Sequence, residues 1–262
     1  MDFIRRRKGK TETVKRWELF LSLFLRKFGR MNMDGKSDNN KVMLAGKIVA
    51  PLKFQMEHKG EAFYRTILQV NRQSGQCDLI PLLLSERLLD DTKNYEGQLV
   101  CVTGQFRSYN NHEQIKTRLL LHAFVKELNL LNSVEEAGSM NEILLHGFLC
   151  KPPVYRKTPL GREITDVLLA VNREYGRTDY IPCIVWGRNA RFASGLSVGN
   201  QIQIIGRIQS REYDKKGLQG IERKRAYEVS GFKIMKVKKK KYLWYRTIVS
   251  CTIKYVEKLF FG

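Results

Sequence analysis

The sequence predicts an all-β chain made of two tandem copies of one small barrel, and two observations carry the prediction. One is an internal repeat at near-constant spacing; the other is a run of short β-type segments, separated by turn residues, inside each repeat unit. The segment Asn40-Lys-Val-Met-Leu-Ala-Gly46 returns as Asn141-Glu-Ile-Leu-Leu-His-Gly147, an offset of 101 residues. Val70-Asn71-Arg72 returns as Val171-Asn172-Arg173, and Asp78-Leu-Ile-Pro81 as Asp179-Tyr-Ile-Pro182, both again at 101. Gly97 and Gly104 return as Gly199 and Gly206, at 102. Four blocks kept in one order require duplication of a unit of roughly 95 residues, since each block alone is common.

Within the second copy, Ile143 to Leu149 reads as a strand. A bend rich in proline (Pro152, Pro153, Pro159) and Gly161 follow, then a second strand from Ile164 to Val171. Thr178 to Trp186, Gln201 to Ile208 and Arg223 to Met235 complete five strands. Arg188 to Leu196 has helix-compatible composition and ends before Val198-Gly199. Five strands with a helix between the third and fourth is the order of an OB barrel, and another small β-barrel or sandwich would also satisfy it. The fold class is therefore two tandem five-stranded barrels, each with one short helix, flanked by basic N- and C-terminal extensions. The expected boundaries are 1–39 for a basic extension, 40–128 for the first barrel and 129–140 for a polar linker. The second barrel takes 141–237, and a basic, apolar tail takes 238–262.

The formal charge of +21 sits mostly at the ends. Residues 1–30 contribute +7 and residues 233–262 contribute +8, which leaves +6 for everything between. Such tails are solvated ends or non-specific attractors of phosphate or anionic lipid. The five cysteines show neither Cys-x-x-Cys spacing nor a zinc-like pattern with the four histidines, so no metal site is expected. Cys77, Cys101, Cys150 and Cys183 fall in or beside apolar runs and read as small buried hydrophobes, which suits a reducing cytoplasm. The apolar stretch Tyr242 to Gly262 is interrupted by Arg246, Lys254, Glu257 and Lys258, which argues against a membrane span.

An enzymatic reading finds no support in the motifs. Nucleophile-elbow, phosphate-loop and His-Glu-x-x-His patterns are all missing, and no catalytic residues or cofactors are expected. The aromatics of the second copy are more informative. Capture of a single nucleic-acid strand needs aromatic faces for bases and cations for the backbone on one surface. Tyr155, Tyr175, Tyr180, Trp186 and Tyr213 supply the first, with Arg173, Arg177, Arg188, Arg207 and Arg211 among the cations beside them. Tyr180 and Trp186 stand six apart in one strand and so share a face.

At these residues the second copy resembles the bacterial single-stranded DNA-binding proteins. The resemblance rests on Asn141-Glu-Ile-Leu-Leu-His-Gly147, Leu168-Leu-Ala-Val-Asn-Arg173 and Asp179-Tyr-Ile-Pro-Cys-Ile-Val-Trp-Gly187. An alanine-bearing helix, Val198-Gly199 and Ile204-Ile-Gly-Arg-Ile208 follow in the family's order. The resemblance implies an OB fold and four base-stacking positions, which fall on Tyr175, Tyr180, Trp186 and Tyr213. It also implies pairing of this two-barrel chain into a homodimer, because one-barrel members commonly assemble four barrels.

Through the repeat, the same four positions of the first copy become Ser74, Leu79, Ser85 and Asn111, none able to stack a base. The first copy therefore reads as degenerate, with Phe63, Tyr64, Phe106 and Tyr109 as substitutes. The family's acidic terminal tip is replaced by Lys238-Lys-Lys-Lys241 and an apolar-basic end. The expected function is non-sequence-specific binding of single-stranded DNA in replication, repair or recombination, at the nucleoid in the cytoplasm. The alternatives are a primosome-type adaptor docking on helicase or primase, and a membrane-surface protein held by its tail. Residues 1–30 are expected to be dispensable for the barrels, with Met31 and Met33 as alternative starts.

Overall fold

The structure, a computed structural model, describes residues 39–90, 92–111, 118–133, 139–173, 176–217 and 220–237. The expectations for residues 1–38 and 238–262, and for Tyr175, lie outside these. Among the described residues, twelve strands and one α-helix follow one another in chain order. The first half runs β1 (Asn40–Ile48), β2 (Lys53–His58), β3 (Glu61–Asn71), β4 (Cys77–Ser85), β5 (Leu99–Asn111) and β6 (Arg118–Leu130). The second runs β7 (Asn141–Leu149), β8 (Val154–Lys157), β9 (Glu163–Asn172), β10 (Thr178–Trp186), α1 (Arg188–Ser194), β11 (Gln201–Gly217) and β12 (Gly220–Lys236).

The pairings trace one closed circuit in each half. β1 pairs with β3 and β5, β3 with β4, β5 with β6, and β4 runs parallel to β6. β7, β9, β10, β12 and β11 repeat that circuit, parallel pair included. Closure removes the open edges that a small sheet would otherwise expose. Gly104 and Gly206 stand where each circuit bends, at a shift of register. A Cβ there would lie 2.0 Å from the Phe124 carbonyl oxygen or 2.3 Å from that of Ser230, so only glycine allows the approach.

The cores follow period-two alternation. Val42, Leu44, Leu68, Val70, Ile80 and Leu82 point inward in the first half; Ile143, Leu145, Leu169, Val171, Ile181 and Cys183 do so in the second. β1 and β7 then pair antiparallel, with Val42 opposite Ile143, its own counterpart in the repeat, so the contact is symmetric about that pair. Asn40 on β1 clamps the backbone of Phe106, and Asn141 on β7 clamps Ile208 in the same two-bond manner.

Several expectations are corrected. The first half has no α-helix among its described residues: only a 3-10 turn, Glu86–Leu88, follows β4. In α1, Ala190 and Ala193 form a small buried stripe; here Asp90 instead accepts hydrogen bonds from the Thr92 backbone and hydroxyl, which diverts the chain into a turn. The buried Tyr95, whose hydroxyl accepts from the Asp90 N–H, packs against the core there. β2 and β8 are extra strands, unmarked by alternation because all their residues are exposed. Asn129 and Leu130 belong to β6, paired with Cys101 and Val100, rather than to the linker. Cys77 is exposed because it opens β4 directly after the Gly75 turn; of the four cysteines read as buried, only Cys183 is fully so, and Cys101 and Cys150 are half-buried.

Candidate nucleic-acid interface

The interface is built on three strands of the second half. Along β10, Asp179, Ile181, Cys183 and Val185 turn into the barrel, which sends Tyr180, Pro182, Ile184 and Trp186 outward. Tyr180 is 45% exposed and Trp186 37%, although burying either ring would be favourable. Trp186 ties its one polar atom down: Nε1 donates to Ser230 Oγ on β12 at 3.1 Å. Ser230 stands opposite Arg207 on β11, and Ala226 opposite Arg211. Tyr213, two residues beyond Arg211, shares its face by period two and is exposed. Tyr180, Trp186, Arg207, Arg211 and Tyr213 thus lie on one outer surface.

Arg177 is exposed in the turn before β10, and Arg188 is exposed at the start of α1, two residues after Trp186. Phe232 joins them and was missed by the sequence reading. It is the extra residue where β12 bulges against Ile205 and Gly206, is 61% exposed, and its carbonyl accepts from Asn189 Nδ2 at 2.8 Å. In plain alternation it would count as one more strand aromatic. The signal lies in two close-packed glycines, Gly206 and Gly231, that flank the bulge.

Two expected residues are placed elsewhere. Tyr155 on β8 pairs with Thr165, whereas Arg156 pairs with Ile164, which in turn pairs with Trp186. Directly paired residues share a face, so Arg156 lies on the Trp186 side and Tyr155 on the other. There its hydroxyl donates to Glu163 at 2.8 Å, which raises the phenol's pKa, and Glu163 also pairs with Arg191 of α1. Arg173 is bound to protein: Nε meets Asp179 Oδ2 at 2.6 Å, and Nη2 reaches Asp179 Oδ1 and the Ser108 carbonyl.

That last contact belongs to a lock between the two halves. Asp179 is fully buried and accepts from the Ser108 N–H at 2.5 Å, while Ser108 Oγ accepts from the Tyr180 N–H at 2.9 Å. The other half mirrors it. Arg72 grips the buried Asp78, Asp78 accepts from the Ser210 N–H at 2.8 Å, and Ser210 Oγ accepts from the Leu79 N–H at 3.0 Å. Arg, Asp and Ser recur at repeat-equivalent places, so the duplicated Val-Asn-Arg and Asp-x-Ile-Pro blocks serve docking between barrels. His122 on β6 sits at this junction, near Arg107, Arg173, Asp179 and Arg65. Burial, then the two arginines Arg107 and Arg173, lower its pKa to about 4.

Residues 140–234 match the model of the single-strand binding protein family. A single-stranded DNA-binding protein of Clostridium tetani is 40% identical over 84 residues, which is 29% of this chain and 58% of that protein. Single-stranded DNA-binding protein 1 of Staphylococcus aureus is 38% identical over 82 residues, 29% of this chain and 49% of the relative. The chain thus spans about half the length of the curated relatives it matches. Among solved structures, the wild-type single-stranded DNA binding protein of Thermus aquaticus superposes with a TM-score of 0.61. That match covers 76% of this chain and 93% of that one at 22% identity, a likeness of fold reaching beyond the family match.

Proposed function

We propose that this chain, whose residues 140–234 match the model of the single-strand binding protein family, binds single-stranded DNA without sequence preference through the outer face of its second barrel. Bases stack on Trp186, Tyr180, Phe232 and Tyr213, with Tyr175, a few residues ahead of β10 in the sequence, as a further platform. Arg177, Arg188, Arg207 and Arg211 neutralise phosphates and release counterions. Arg173 acts one step removed, by holding the turn that presents Tyr180, and Tyr155 lies outside the base path. No bond is made or broken.

The observation that carries this reading is the shared outward face of Tyr180 and Trp186, two large rings left exposed among cations. Duplex DNA binds less well because its bases already stack on one another. The names of the matching relatives favour this reading over the primosome adaptor. No helix among the described residues is long and apolar enough to cross a membrane. The site of action is the cytoplasm, where single strands are exposed, and the working unit is a homodimer with four barrels. Anisotropy titrations with labelled oligo(dT), its RNA equivalent and a duplex of the same length test the binding. Equal affinity for duplex and single strand would overturn the stacking mechanism, and a monomer mass in light scattering at micromolar concentration would overturn the dimer.

A further inference from the structure

The first barrel has lost the stacking residues of the second, and its outer face nevertheless carries rings and cations in a different arrangement. Ser85, in the place of Trp186, is buried and donates its hydroxyl to Glu61. Across the parallel pair, however, Leu83 neighbours Phe124 just as Ile184 neighbours Ser230. An aromatic ring has thus moved from the third strand of the barrel to the fifth.

Phe124 is half-buried, with the ring of Phe63 at 6.0 Å. The Arg107 guanidinium lies over it, 3.7 Å from the ring centroid, steered by two hydrogen bonds to Gln105 Oε1. Further along the same face Tyr109, 38% exposed, meets the His122 ring edge-on at 5.2 Å. Arg65 and Lys126 are exposed, Arg65 on this face and Lys126 at the bulge corresponding to that of Phe232.

This face is continuous with the one on the second barrel. Ser108, the residue before Tyr109, bonds the backbone of Tyr180 directly. We infer that a single strand leaving Tyr180 crosses the junction at Tyr109 and enters the first barrel over Arg107 and Phe124, where a base stacks on the guanidinium–ring pair. This inference rests on the proposed function of the second barrel. The occupant is the same DNA strand, because the patch adjoins that path and carries Arg65, Arg107 and Lys126. A planar cation held flat by a ring and a glutamine offers a base the same kind of surface as an aromatic side chain, together with a charge for the neighbouring phosphate.

The test uses the full chain with labelled oligo(dT) of about 10 and about 30 nucleotides, spans of one barrel and of more than one. Phe124→Leu and Tyr109→Leu should each weaken binding of the longer strand about five-fold or more and leave the shorter unchanged, while Trp186→Ala weakens both. Arg107→Gln should lower the salt dependence of the longer strand alone. Ultraviolet cross-linking followed by peptide mass spectrometry should place adducts on peptides holding Tyr109 or Phe124 with the longer strand and not with the shorter. Should Phe124→Leu melt early, the Tyr109 variant and the cross-links of the unaltered protein decide. Unchanged affinity for the longer strand, with all adducts in the second barrel and Trp186→Ala still weakening both, overturns this inference alone. Failure of the unaltered chain to bind the shorter strand overturns the proposed function, and this inference with it.

Discussion

The two halves share their insides and differ on one outer face. Inward residues recur almost one for one, as do the clamping asparagines and the Arg–Asp–Ser lock, because each is fixed by a closed barrel or by its contact with the other barrel. The outward side chains of the third and fifth strands are the ones that differ. There Tyr180 and Trp186 correspond to Leu79 and Ser85, and Ser230 corresponds to Phe124. Residues fixed by packing recur in both halves, and the proposed binding face is where the halves differ.

The lock offers the largest test of that comparison. Removing one partner of a buried ion pair strands the other, at about 3–5 kcal/mol. Arg72→Ala and Arg173→Ala should therefore each lower stability by about that much in chemical denaturation. If Arg173→Ala left stability intact and only weakened DNA binding, Arg173 would belong to the face instead. Next in size is the face itself. Trp186→Ala and Tyr180→Ala should each weaken oligo(dT) binding by about 1–3 kcal/mol in titration. Phe106→Leu, a change inside the core, should lower stability with little direct effect on binding, because Phe106 is fully buried.

A smaller effect comes from His122, which has no counterpart histidine in the second half. Its folded pKa of about 4 lies below the ordinary value near 6.5, so between those values the unfolded chain holds more protons. Stability from this group is fully present above pH 6.5 and is lost as the pH falls toward 4. Melting curves across that window should flatten in His122→Gln, and an unaltered pH slope would show that His122 is not the source. The smallest expected change is at Arg177: its replacement by Ala should reduce the slope of log affinity against log salt by about one. No change would place the phosphate path away from that turn.

Much of this was legible from the chain. Repeats show as similarity at fixed offset, and the core shows as alternation, because both depend on residues close in sequence or copied as a block. Tyr180 and Trp186 could be placed on one face because a single strand has a strict period of two. The other features hang on which strand lies beside which. Tyr155 lies on the side away from Trp186 because its face is set by pairing with Thr165 across a hairpin. Arg173 looked like a phosphate ligand until its partners, Asp179 and the distant Ser108, were seen to hold it. The first barrel's turn in place of a helix depended on Asp90 and Thr92 competing for local hydrogen bonds that helix composition does not weigh.

By itself, then, the sequence determined the internal repeat, the order of the five barrel strands, the alternation of inward residues and the aromatic pair on β10, all carried by pattern along the chain. Only the tertiary structure decided that the duplicated Arg–Asp blocks lock barrel to barrel, that a bulge exposes Phe232, and that Arg107 lies over Phe124. These are contacts between residues brought together by closure and register, where a shift of one position turns a side chain to the opposite face.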